Sequence, residues 1–197
     1  MRRIFIGTLV VLTIALINGC ANRKITRVDP SETIDLSGRW NDSDSRLVSE
    51  EMIGDLLTSA WIPRYLKAND KRPVVVGLVE NKSHEHINSE TFIKDVEKAI
   101  IRDGNIRLVV AGEKRNELRK ERAEQQDYAS PETTKKWGKE LGADFILQGT
   151  INSIVDSYKK QKVVTYQIDL QLTNIETNEV VWMGDKKIKK QISDRVL

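Results

Sequence analysis

The chain has 197 residues, 39% of them hydrophobic and 31% charged, enough apolar content for one domain with a proper core. Its 32 basic and 29 acidic residues leave a formal charge of +3; without Arg2 and Arg3 about +1 remains, which excludes a nucleic-acid footprint. Cys20 is the only cysteine, so an intramolecular disulfide is excluded.

Arg2 and Arg3 open the chain and a mostly apolar run follows from Ile4 to Ile17, the layout of a secretory signal. That run is about 14 residues, short of the roughly 20 a membrane-spanning helix needs, so cleavage is expected over a permanent span. Ile17-Asn18-Gly19-Cys20 resembles the bacterial lipobox, with Asn18 its less usual member. Residues 1–19 are read as a lipoprotein signal peptide and Cys20 as the lipidated start of the mature chain. Ordinary secretion with an incidental cysteine is the rival reading, disfavoured by the cysteine's placement after Gly19. Ala21 implies the outer membrane under the sorting rule of enteric lipoproteins, with the domain facing the periplasm. Residues 20–41 are polar, contain Pro30 and Gly38, and show no sustained period; they are read as a tether reaching at most roughly 70 Å. The globular domain is placed at 42–197.

Asp42 or Ser43 is expected to cap a first helix, with Leu47, Val48, Met52, Ile53, Leu56, Leu57, Ala60 and Trp61 at helical spacing until Pro63. The continuous apolar run Val74–Val79 predicts a strand buried on both faces and central to a sheet. Asn88 can cap a second helix with Phe92, Ile93, Val96, Ala99 and Ile100 on one face and Asp103-Gly104 at its end. A strand at Ile106–Val110 completes a crossover unit and makes the two strands parallel. Glu113–Tyr128 favours helix with little apolar content. Ser130-Pro131 predicts a further helix to Leu141. From Phe145 the period becomes two: Phe145, Leu147, Gly149 and Ile151, then Val164, Tyr166, Ile168, Leu170 and Leu172. Turns at Tyr158–Lys162 and Glu176–Glu179 give three consecutive antiparallel strands. The fold class is therefore α/β: one small domain with a mixed sheet of about five strands and about four helices. Lys186, Lys187, Lys189 and Lys190 flank Ile188, a charge density that blunts an exposed sheet edge; a binding patch is the other reading.

Chemistry is sparse. His84 and His86 share a loop with acidic neighbours, but no third nitrogen or sulfur ligand accompanies them, so no metal and no cofactor is expected. Either histidine could serve a Ser-His-acid triad, yet no Gly-x-Ser-x-Gly elbow is present. At 100° per residue Arg115, Arg119, Arg122 and Gln126 fall on one face of their helix, and Glu117, Glu121 and Glu124 on roughly the opposite one. That arginine stripe is either a solvated surface or a face that docks a carboxylate-bearing partner.

The segments Gly38-Arg39-Trp40-Asn41-Asp42, Arg72-Pro73-Val74-Val75-Val76-Gly77 with Asn81, Gly142-Ala143-Asp144-Phe145-Ile146-Leu147-Gln148-Gly149 and Glu179-Val180-Val181-Trp182 are, in this order, similar to the LpoB family of penicillin-binding-protein activator lipoproteins. The resemblance implies a non-enzymatic outer-membrane lipoprotein whose partner is a bifunctional penicillin-binding protein, a peptidoglycan synthase. It also implies a fold like the amino-terminal domain of the TolB translocation protein. The short tether departs from the long proline-rich arm of the enteric member. Two other function classes compete: an envelope assembly or secretion-associated scaffold lipoprotein on the same fold, and a cell-wall hydrolase.

Overall fold

The computed structural model describes residues 25–65, 71–134 and 140–193, so the export segment and Cys20 lie outside the described residues. Met1–Glu32 and Thr33–Leu197 are separate units. In the first, residues 25–32 are exposed chain with a turn in which Asp29 Oδ1 accepts from the Ser31 N–H at 2.8 Å.

In the second unit α1 (Asp42–Thr58) begins one residue earlier than the sequence suggests. Asn41 is the cap: its Oδ1 accepts from the Asp44 N–H at 3.1 Å, and Asp44 Oδ2 accepts from the Asn41 N–H at 2.9 Å. This reciprocal pair satisfies two donors that the helix leaves free. The helix also ends before Pro63. Ser59 Oγ and Trp61 Nε1 both donate to the Leu56 carbonyl, at 2.7 and 2.8 Å, and so close its last turn. Trp61–Tyr65 forms a separate short helix, α2, whose Pro63 lies in the first turn, where a missing N–H breaks no helical bond.

β1 (Pro73–Asn81) carries the valine run. Val74, Val75, Val76 and Val79 are buried but Leu78 is exposed, because the register with the neighbouring strand slips between Val76 and Val79. Burial on both faces therefore holds only for the first half of the strand. α3 (Ser89–Asp103) has the expected Asn88 cap and Gly104 end, and buries Phe92, Val96 and Ile100. β2 is shorter than expected, Arg107–Leu108. α4 (Gly112–Tyr128) follows.

The helix expected from Ser130 is not seen among the described residues. Residues 130–134 make a turn in which the Thr133 and Thr134 N–H groups donate to the Ser130 carbonyl, both at 3.0 Å. The Ser130 hydroxyl, expected as a cap, pairs with Thr133 Oγ1 at 2.9 Å instead. Residues 135–139 lie outside the described residues, and 140–143 have no regular structure.

β3 (Phe145–Tyr158), β4 (Gln161–Asn174) and β5 (Val180–Ser193) form the antiparallel meander. The sheet order is β2-β1-β3-β4-β5, with β1 parallel to both neighbours. The mixed five-stranded α/β fold is thus as expected. β1 lies inside the sheet, while β3 is its middle strand. Phe145, Leu147 and Ile151 of β3 and the alternate residues Val164 to Leu172 of β4 join α1 and α3 in one core. Each such large side chain contributes about 1.5–3 kcal/mol on burial. The opposite sheet face carries Gln148, Thr150, Gln167, Asp169 and Gln171, none of them buried. No helix among the described residues is long and apolar enough to cross a membrane.

Candidate functional site

α4 is built from strong helix formers, Glu, Lys, Arg and Gln, and buries none of its residues. With no residue of its own in the core, it is held by polar contacts, those of its arginines among them. Arg115 Nε donates to the Val110 carbonyl at 2.9 Å. Arg119 grips Glu140 with two parallel bonds, Nε to Oε1 at 3.0 Å and Nη2 to Oε2 at 2.9 Å. Arg122 Nη1 adds a third at 3.1 Å. Forked pairing of this kind is the geometry with which guanidinium groups recognise carboxylates. The hydrogen bond from Arg119 lowers the Glu140 pKa, burial opposes it, and Arg122 adds to the lowering. Gln126 is exposed in the last turn. All four stripe residues lie on one side of α4; Arg119 and Arg122 share the Glu140 carboxylate of the same chain, and Arg115 turns to the Val110 carbonyl. Glu117, Glu121 and Glu124 remain exposed.

The histidine loop is a fastening. His84 Nδ1 meets Ser153 Oγ at 2.6 Å, and Ser153 Oγ also accepts from the His84 N–H at 3.0 Å. His84 Nε2 is 3.3 Å from Glu85 Oε1. Glu85 Oε2 and the Tyr166 hydroxyl share the Trp40 N–H, at 3.2 and 3.1 Å. Burial and then Glu85 push the Tyr166 phenol up in pKa, so it stays neutral. Serine, histidine and acid do come together, but each is bonded into the anchoring of Trp40 and the loop. Among the described residues no cluster of three or more potential ligands could hold a metal.

The four lysines of β5 divide between the two faces of the strand. Lys190, with its side chain only 10% exposed, reaches Asp35 Oδ1 and Asp44 Oδ2, each at 2.6 Å, and the Arg39 carbonyl at 3.0 Å. Lys186 pairs with Glu51 across the α1 side at 2.5 Å. Lys187 and Lys189 are exposed. Asp35, Gly38 and Trp40 thus form a strap on the domain, with the Trp40 ring edge-on to Tyr166 and Phe92 at 5.6 and 6.3 Å between centroids. Sequence reasoning missed this clamp because its partners are 146 and 155 residues apart. The one local signal was an aromatic residue inside an otherwise polar stretch.

The solved structures similar to this chain include the LpoB C-terminal domain from Escherichia coli, at 18% identity and TM-score 0.48 over 75% of this chain and 99% of that one. The LpoB C-terminal domain from Salmonella enterica matches at 15% identity and TM-score 0.45 over the same shares. Lipoprotein GNA1162 from Neisseria meningitidis matches at 16% identity and TM-score 0.38 over 62% of this chain and 84% of that one. No curated protein matches the sequence significantly. The model of the family described as peptidoglycan-synthase activator LpoB matches residues 44–188, a span that runs from the first turn of α1 into β5 and takes in every strand of the sheet. The chain belongs to the LpoB family of peptidoglycan-synthase activators.

Proposed function

We propose that this protein is a non-enzymatic lipoprotein, anchored through Cys20 in the outer membrane, that binds a bifunctional penicillin-binding protein and stimulates its synthesis of peptidoglycan. The observation that carries this reading is the family match over 44–188. α4 is the docking element in this proposal: a helix with no buried residue that presents forked arginines suits a partner's carboxylates. Glu140 occupies the fork in the free protein and holds the helix ready.

The test is glycan polymerisation by a purified bifunctional synthase, with and without the full chain. Stimulation is expected, and charge reversal of Arg115, Arg119 and Arg122 should abolish both stimulation and capture of the synthase while the circular dichroism spectrum is retained. No stimulation by the unaltered chain would reject the activator reading. Stimulation that survives the reversal would return α4 to a solvated surface.

A further inference from the structure

The β3–β4 hairpin runs past the core. All five residues from Ile154 to Tyr158 are exposed, with Ile154 71% and Tyr158 73% so. Four residues apart on a strand, these two share a face, the one turned away from the helices. Half-buried Val163 joins them through its pairing with Asp156. The next strand adds Lys189 beside Thr165 and Lys187 beside Gln167 on that face. The turn itself is Lys159-Lys160, with Lys159 Nζ 5.2 Å from the Tyr158 ring centroid. Among the described residues none of these four lysines makes an ion pair, and Asp156 is the one acid of the exposed strand end.

The chemistry selects the occupant. The cores of protein interfaces are depleted of lysine and enriched in arginine and tryptophan, and this tip has lysine alone. Aliphatic and tyrosine side chains ringed by ammonium groups suit a lipid headgroup layer: the phenol sits at the boundary, the aliphatic chain goes below it, and the lysines stay at the phosphates. We propose that the hairpin tip, through Ile154, Tyr158, Lys159, Lys160, Lys187 and Lys189, docks on an anionic phospholipid surface and so fixes how the domain lies on its membrane. The contact rests on the lipid-anchor reading only for delivery to a bilayer.

The test uses the full chain with its anchor, carrying Ser157→Cys labelled with an environment-sensitive dye. It is reconstituted into vesicles of phosphatidylcholine alone or mixed with phosphatidylglycerol, and brominated lipid reports insertion by quenching. Quenching is expected in the anionic vesicles and not in the neutral ones. Lys159→Glu with Lys160→Glu should lower it about 25-fold or more, from roughly fivefold per charge lost. Ile154→Ser with Tyr158→Ser should remove it. Flotation of the neutral vesicles reports the anchor by itself, so a failure of anchoring and a failure of the hairpin contact are distinguishable. Equal quenching in both lipids, or none, overturns the proposal. If these substitutions instead weaken capture of the synthase, the tip docks protein and the lipid reading is likewise overturned.

Discussion

Lys190 shows how one side chain can hold a segment with no secondary structure of its own. Burial disfavours its ammonium group, but the hydrogen bonds to Asp35 and Asp44 outweigh that cost and raise its pKa above the ordinary lysine value. The hydrogen bond from Lys190 lowers the Asp35 pKa in turn. Asp35 therefore contributes fully above its unfolded pKa of about 3.9, and the contribution is lost as pH falls through its lower folded value. Lys190 contributes fully below its unfolded pKa of about 10.4, and that contribution is lost as pH rises through its higher folded value. Lys190→Met leaves the almost buried Asp44 without its cation, so a loss of about 2–4 kcal/mol is expected from urea midpoints near neutral pH. The variant should lack the alkaline fall in stability expected of the parent chain. Gly149 is a second single-residue constraint. A Cβ there would run into the Asp169 carbonyl oxygen and reach Leu170 Cδ2 at 2.5 Å. Because a strand backbone cannot yield as a side-chain end does, Gly149→Ala should cost about 1–3 kcal/mol in the same denaturation experiment.

Among the elements, α4 depends on ion pairs where α1 and α3 depend on burial. Surface pairs contribute little to global stability, so removing one should loosen the helix without unfolding the domain. Glu140→Gln is expected to speed amide exchange in α4 while the core strands keep their protection and the unfolding midpoint hardly moves. The carboxylate's lowered pKa sets the sign: its contribution is complete above the usual glutamate range and fades as pH falls through the folded value. Acidification should therefore mimic the substitution. α3 was legible in sequence down to its Asn88 and Gly104 ends because periodicity and both caps agree. The meander was legible because alternation survives wherever one sheet face is buried and the other wet. The start expected at Ser130 is a turn over the described residues 130–134, because a Ser-Pro start is a local preference that hydroxyl pairing with Thr133 can override. The end of α1 was misread because Pro63 is the conspicuous stop signal, whereas the bonds to the Leu56 carbonyl involve residues with no such marker.

For the molecule as a whole, the order of short segments from Gly38-Arg39-Trp40 to the closing Val180-Val181-Trp182 pointed to the family, and the family match over 44–188 agrees with it. The site was less legible than the fold. Helical geometry placed Arg115, Arg119, Arg122 and Gln126 on one face, but Glu140 lies outside that helix, so the shared pairing of Arg119 and Arg122 with it was hidden. The strap has a further consequence when the chain is considered as a load path. For a domain held at its amino-terminal side, tension enters at Thr33 and meets the Lys190 clamp and the Trp40 ring before it meets any strand. Those contacts are side-chain contacts and not strand pairings, so they are expected to part first while the five strands stay joined. Freeing residues 33–41 adds about 30 Å of extended chain, a mechanical fuse that lengthens under pull and resets when Trp40 returns to Tyr166 and Phe92.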